Sequence, residues 1–527
     1  MMRRKTLTTW LVAGIPAVGC FLFFLLVYPY HNLLKEQLIL FLHSPDYFLS
    51  YLDKPAWLTR YAGDMLTQCF IHPAGGAAII TVTLFIIWVL FRQLFRRFGT
   101  GHLTSSLLAL IPAVTEFLFH CGLHYPLSST FSTLLALLAL LGFTRLRSHN
   151  LYLWLFFPAA ALLYYLAGHG IILFTIAWSI YGILKRKRKW YYTLLPALAA
   201  LAFPLLMRPV FLLTAEQAYR HPVKEPLTLK PDLTWKKILE LDYESQREQW
   251  AKVLLLAQRY KLHNRIASYY TNLALSQTGM MGEWLFHFYQ PGPAGLFLPV
   301  SQLSTPLTIA FSNELFYRLG DMNMAQHAAM LGTIFSPDHR SSRLARRLTE
   351  VHIAIGDAPA AGKYLGLLDK TLFYRKWARQ AREQLSREDI PLRAMIPSMD
   401  TVRLSDDYLT SLKFLLENNP DNTTARDYLL CFHLLNKDIP SFREAFDRWF
   451  DTKIERVPGV YAQALLVSLY QESAPDTLLR QYNIPAAAVN QFIEYTRSYE
   501  EAGGLSAPLH DVYGNTFWFY YHFAIPE

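Results

Sequence analysis

The chain has 527 residues, of which 52% are hydrophobic, 15% aromatic and only 17% charged, and its mean hydropathy is +0.16. That balance excludes an ordinary soluble globular protein. The net charge of +10 is uneven, with 17 Lys/Arg against 5 Asp/Glu up to Leu213 and 33 against 35 in the remaining 314 residues, so the second part is almost neutral and nucleic acid is not an expected partner.

Apolar runs suited to crossing a bilayer cover Trp10 to Tyr28, Ala74 to Phe91, Leu103 to Phe119, Leu127 to Phe143, Leu151 to Ala167, Gly170 to Leu184 and Trp190 to Met207. A bilayer core takes roughly 20 apolar residues. About seven transmembrane helices are therefore expected within residues 1–213. The Gly170 run is short, which leaves 151–184 open as two full crossings or a re-entrant pair. The first run is long for a cleaved signal peptide and is read as an anchor.

Basic residues cluster at Arg3, Arg4 and Lys5, at Arg92, Arg96 and Arg97, at Arg145 and Arg147, and at Lys185 to Lys189. Clusters of this kind mark cytoplasmic loops. Successive clusters on one side pair the first six runs into hairpins, and a final crossing from Trp190 carries the rest of the chain to the opposite face. The N-terminus is thus expected in the cytoplasm and residues 232–527 outside it.

The first outer loop, residues 29–73, is long, with an amphipathic start from Leu33 to Leu42 and aromatics Tyr47, Phe48, Tyr51, Trp57 and Tyr61. Interfacial helices are expected there rather than free coil. It also holds four of the five acids that precede Leu213: Glu36, Asp46, Asp53 and Asp64. The fifth, Glu116, shares a helical spacing with His120 and His124, the pattern of a zinc or proton-relay site or of a carboxylate hydrogen-bonded to His120. Cys69 and Cys121 fall near the same membrane face and leave a bridge open, while Cys431 stands alone. No disulfide framework, phosphate loop, catalytic serine motif or Cys-x-x-Cys pair occurs, and no cofactor is expected.

After a connector at 214–231, punctuated by Pro222, Pro226 and Pro231, helical periodicity persists to the C-terminus. The paired amphipathic stretches are Glu244 to Lys261 with Arg265 to Gln277, Leu307 to Leu319 with Ala325 to Phe335, Ser342 to Ile355 with Ala358 to Leu372, and Ala425 to Leu435 with Ser441 to Phe450. Their turns read Gly320-Asp321, Gly356-Asp357 and Asn436-Lys437-Asp438. Small residues at the crossings, Ala325, Ala360, Ala361 and Ala445, resemble those of tetratricopeptide-type (TPR-like) units, which makes the expected fold all-α with an extracytoplasmic α-solenoid. The proline-rich stretch Gln290 to Pro306 is expected as a loop tucked onto the solenoid or dipping toward the membrane. The aromatic tail, Asn515 to Phe523, is expected as a docking strand or capping helix.

The plan of apolar runs, an acid-bearing first outer loop and a following soluble domain is similar to that of the C-type glycosyltransferases. That resemblance implies Asp46 and Asp53 as the catalytic acids, Lys54 and Arg60 as contacts for a polyprenyl-phosphate lipid, and transfer of a lipid-linked sugar. Neither Asp46 nor Asp53 belongs to an Asp-Asp or Asp-x-Asp pair. Four further stretches, EQLILF from Glu36, NLALSQTG from Asn272, WLFHFYQPGPAGLF from Trp284 and KYLGLLDKTLFYRKWA from Lys363, resemble a family of polytopic inner-membrane proteins of Bacteroides-like bacteria. This second resemblance implies a periplasmic outer domain and transfers no activity. The leading expectation is a scaffold anchored in the bilayer whose solenoid groove holds an envelope protein or glycan polymer; the competing one is the lipid-linked transferase.

Overall fold

A computed structural model describes residues 2–186, 189–224, 229–301, 303–385, 396, 407–450, 456–472, 479 and 481–525. Lys187 and Arg188 of the last basic cluster, and Pro226 of the connector, lie outside the described residues. Every described element is helical. The chain forms two compact units, one of residues 1–236 with 367–378 and the other of residues 237–366 with 379–527.

The first unit begins with α1 (Met2–Leu22), which runs into a π-turn at Phe23–Val27. At Tyr28 the path turns by 71° into α2 (Pro29–Gln37). Pro29 at the first helical position has no N–H to lose and starts the new helix there. Residues 29–73 are helical in large part, although α2 ends at Gln37 and the amphipathic start Leu33 to Leu42 is helical only in its first half: α3 (Pro45–Leu49), α4 (Trp57–Thr67) and a 3₁₀ turn at Gln68–Ile71 follow. Next come α5 (Pro73–Arg97), α6 (His102–Leu108), α7 (Leu110–His120), α8 (Leu127–Arg145), α9 (His149–Trp154), α10 (Phe156–Ala167), α11 (Gly170–Leu184), α12 (Tyr191–Phe211) and the short α13 (Ala215–Arg220).

Among the described residues, five helical segments are long and apolar enough to cross a membrane, or six if the bent pair around Tyr28 is one span. The sixth run, α11, has 15 residues and falls short of that length. Within the unit α8 is central, with 67% of its apolar window buried, and α12 is peripheral at 17%. The cause is composition. The first turns of α8 carry Ser128, Ser129, Thr130 and Ser132, all buried, and small residues let helices approach closely. At Gly63 of α4 a Cβ would stand 2.6 Å from the Ser128 backbone nitrogen, so only glycine permits this contact. The apolar interior is Ile80, Ile87, Leu137, Phe156, Phe174 and Trp178, with Phe156 stacked on Trp178 at 3.8 Å between ring centroids.

The second unit takes in most of α14 (Leu233–Gln246), then α15 (Trp250–Tyr260), α16 (Arg265–Gln277), α17 (Met281–Trp284), α18 (Pro306–Leu319), α19 (Met322–Phe335), α20 (Ser342–Ile355) and α21 (Ala358–Leu368). After the inserted segment 367–378 and the remainder of α22 (Arg375–Gln384), it continues with α23 (Tyr408–Asn418), α24 (Thr423–Leu435), α25 (Ile439–Trp449), α26 (Gly459–Gln471), α27 (Ala486–Glu501), α28 (Ala507–Tyr513) and α29 (Phe517–Phe523).

Three turns share one construction. Gly320, Gly356 and Lys437 each take a left-handed conformation, at φ 81°, 83° and 59°. In each case the next residue, Asp321, Asp357 or Asp438, caps the following helix by accepting from the backbone N–H three residues on. Such a cap contributes about 1 kcal/mol. The turn also closes backward, since the N–H groups of Asp321, Asp357 and Asp438 donate to the carbonyls of Phe316, His352 and His433. The three turns are therefore built alike.

Two expected boundaries shift. The stretch Glu244 to Lys261 is not one helix, because α14 ends at Gln246 and Glu248 turns left-handed at φ 57° before α15 begins. The helix expected over Ala358 to Leu372 stops at Leu368. The hairpins also pack beyond their immediate neighbours, since α16 lies against α24 and α17 against α26. Leu296, Phe297 and Leu298 of the proline-rich loop are buried in this unit, and Phe297 stacks on Tyr408 at 4.1 Å. The aromatic tail is a helix whose buried Trp518 donates from Nε1 to the Gln463 carbonyl oxygen.

A buried charge network joins α14, α16, α18 and α20. Arg343 grips Asp242 through two bonds of 2.8 Å, and the Tyr270 hydroxyl also donates to Asp242. Arg347 donates to Glu314 at 2.5 Å and to Asn313 at 3.0 Å. Burial alone would raise the Glu314 pKa, but the guanidiniums of Arg347, Arg318 and Arg343 hold it below its usual range.

Candidate functional site

A set of buried polar groups in the first unit surrounds the corner at Tyr28. The Tyr28 hydroxyl donates to the Cys121 carbonyl oxygen at 3.0 Å and lies 2.9 Å from His31 Nε2, and the two rings stack at 4.0 Å. It also accepts from the Asp232 N–H at 3.0 Å, which ties the start of α14 to this corner. One turn further along α2, Lys35 donates from Nζ to the His120 carbonyl oxygen at 3.0 Å. His31, Asn32, Lys35 and Glu36 are all buried, in a helix of nine residues.

Beneath this corner lies Glu116. Its carboxylate accepts from Tyr125 Oη at 2.6 Å, Thr130 Oγ1 at 3.2 Å and Thr133 Oγ1 at 3.1 Å. Thr130 Oγ1 is also 2.8 Å from His120 Nε2. A threonine hydroxyl has one proton, and with that proton committed to Glu116, the bond to His120 requires the proton to sit on Nε2. Glu116 and His120 are therefore linked through Thr130 rather than by the direct hydrogen bond expected from their spacing. His124 does not join them: α7 ends at His120, and His124 is exposed in the turn that follows. Among the described residues no group of three His, Cys, Asp or Glu side chains is placed to hold a metal ion. Three hydroxyl donors satisfy the carboxylate and make this cluster a packing element of α7 and α8.

The loop residues taken from the transferase resemblance are dispersed. Asp46 lies in the exposed first turn of α3, and Asp53 and Lys54 are exposed in the turn before α4. Arg60 is buried, its guanidinium 5.1 Å from the Tyr51 ring centroid, and Tyr51 donates to Asp64 at 2.8 Å. Cys69 and Cys121 are free thiols, so the bridge between them is absent.

Sequence patterns did not point to Lys35, His31 or Asn32, or to the partner of Glu36. The Glu36 carboxylate accepts from the Tyr374 hydroxyl at 2.7 Å, and both residues are buried. The same segment makes further contacts within the first unit: the His43 N–H donates to the Lys370 carbonyl oxygen at 2.8 Å, and the Phe373 ring lies 5.5 Å from that of His72. Two of the four family-like stretches thus meet at Glu36 and Tyr374. The other two meet in the second unit, where Asn272 and Gln290 exchange amide bonds of 3.0 and 2.9 Å. The one available signal was their shared membership in those stretches.

An apolar cavity of about 360 Å³ opens between α1, α5 and α7. Its lining includes Cys20, Phe23, Leu84, Trp88, Leu110 and Phe117. Phe23 also stacks on Tyr28 at 5.4 Å, so cavity and polar corner share a wall.

Together these features define an all-helical protein with several helices long and apolar enough to span a membrane. The chain belongs to the family described as Family of unknown function (DUF6057), whose match covers residues 3–524. No curated protein and no solved structure matches it.

Proposed function

We propose that this is a multi-pass protein of the bacterial inner membrane, with a cytoplasmic N-terminus and a periplasmic C-terminal domain of TPR-like hairpins that holds an envelope protein or polymer. One observation carries the reading. The second unit repeats one turn construction at Gly320-Asp321, Gly356-Asp357 and Lys437-Asp438, and stacked helical hairpins of this kind offer an extended surface to a partner.

The transferase reading is not favoured, because Asp46 and Asp53 stand exposed on separate elements with no paired acid. Isosteric Asp46→Asn and Asp53→Asn variants are expected to keep normal abundance and phenotype, since substitutions at exposed positions change stability within about ±0.5 kcal/mol.

The deciding experiment is affinity isolation of the full chain from envelope extracts in mild detergent, with co-isolated proteins, glycans and lipids all analysed. A stoichiometric protein or polymer that is lost on deletion of 423–449, the hairpin of α24 and α25, supports the scaffold. Recovery of no such partner from extracts that retain the intact chain refutes it. For orientation, a periplasm-dependent reporter fused after Leu213 should be active and one after Lys189 inactive; equal activity contradicts the final crossing.

A further inference from the structure

The polar groups at the Tyr28 corner are incompletely used. Asn32 is 1% exposed, and neither atom of its side-chain amide has a hydrogen-bond partner; His31 Nδ1 is likewise buried and unpartnered. Beside them Lys35, 8% exposed, directs its amino group to a single carbonyl oxygen, and among the described residues it forms no ion pair. Buried amides almost always find partners, and a buried cation is held at a large cost unless an anion accompanies it. Residues 31, 32 and 35 of one short helix therefore present incompletely used polar groups, and one of them is a lysine that a bound anion would keep charged.

The second observation is the apolar cavity. Its lining is hydrocarbon apart from Cys20 and Thr81, which bond to each other, and the Trp88 indole, which donates to the Ser106 carbonyl oxygen. The ring ladder Phe23, Tyr28, His31, with centroid steps of 5.4 and 4.0 Å, leads from the cavity wall to the polar corner. The apolar slot thus ends beside the polar corner. The π-turn at Phe23–Val27 lies between them, and such bulges recur at functional sites.

We propose that this place binds one long-chain lipid bearing a phosphate headgroup, with its tail between α1, α5 and α7 and its phosphate held by Lys35 and the Asn32 amide. His31 Nδ1 donates only from the imidazolium, because the Tyr28 proton goes to the Cys121 carbonyl and Nε2 must then carry the ring proton. Charge complementarity selects the anion and the slot selects the tail. A free phosphate satisfies only the first condition and a neutral diglyceride only the second. The site goes beyond the scaffold reading and does not depend on it, since it uses no residue of the second unit.

The test is native mass spectrometry of the full chain in dodecyl maltoside micelles, with dioleoyl phosphatidate, dioleoylglycerol and inorganic phosphate offered in turn. One phosphatidate should be retained, at least about tenfold more strongly than dioleoylglycerol. Inorganic phosphate should not displace it. Lys35→Met should lower retention about tenfold or more, and Lys35→Arg should restore most of it. Ala113→Phe, which fills the slot without touching α2, should bring phosphatidate retention down to the dioleoylglycerol level. Equal retention of the two lipids by the wild type, displacement by phosphate, or full retention by Ala113→Phe each overturns the proposal. Should Lys35→Met fail to fold, the wild-type comparison and Ala113→Phe still decide.

Discussion

Replacing Asp242 by alanine removes one partner from the best-formed buried ion pair in the second unit. Arg343 is then left with its side chain 5% exposed and the two 2.8 Å bonds that balanced its charge gone. Tyr270 and Gln246, which also donate to Asp242, lose their acceptor as well. Breaking such a pair from one side costs about 3 to 5 kcal/mol, chiefly through the uncompensated charge. Hydrogen exchange followed by mass spectrometry reads this locally in the full chain, as faster opening of amides in α16 and α20. The expected acceleration is about 10² to 10³-fold, limited above by the global stability of the unit. The control is Asp242→Leu combined with Arg343→Met and Tyr270→Phe, which removes the charges and the stranded hydroxyl while keeping volume, and it should regain at least half of the loss. If Asp242→Ala and the triple variant open equally fast, desolvated charge is not what makes the single change severe, and the reasoning fails.

Three other outcomes are expected. Ala361 is fully buried at the start of α21, so Ala361→Trp should destabilise the hairpin by roughly 1 to 3 kcal/mol through overpacking; an unchanged exchange profile in α20 and α21 would contradict its burial. Tyr374→Phe leaves the buried Glu36 without its 2.7 Å donor, which costs about 1 to 3 kcal/mol and should open segment 367–378 to limited proteolysis while the hairpins resist. The third concerns pH. Burial lifts the Asp321 carboxyl from an ordinary 3.8 to about 6, although the Met324 N–H opposes this. The folded state then binds this proton more tightly than the unfolded state, and stability is lost as pH rises from about 4 to 6. Asp321→Asn, which keeps a capping oxygen, should therefore be more stable than wild type at pH 7 and equal to it near pH 4. Glu314 works in the opposite sense, because its depressed pKa makes a contribution present at neutral pH that disappears as pH falls through the folded value. An Asp321→Asn effect independent of pH would refute the assignment.

The features legible in the sequence are those set by neighbours a few residues apart. Apolar runs of bilayer length announce themselves, because each residue there satisfies its backbone within its own helix. The hairpin turns at Gly320-Asp321 and Gly356-Asp357 are equally local, since a left-handed residue followed by a capping carboxylate is read within five positions. Where such signals conflict, the sequence misleads: periodicity carried the helix from Glu244 through Lys261, yet Glu248 breaks it. Spacing placed Glu116, His120 and His124 on one face, but the chain turns after His120, and hydroxyls from α8 decide what the carboxylate meets. Tertiary structure alone pairs Glu36 with Tyr374 across 338 positions and returns residues 367–378 to the membrane-type unit. It also buries Lys35 beside the unpartnered Asn32 amide and His31 Nδ1. An isolated lysine in an amphipathic stretch reads as a solvated charge, and only the packing of α2 and of the turn after α7 around it takes the water away.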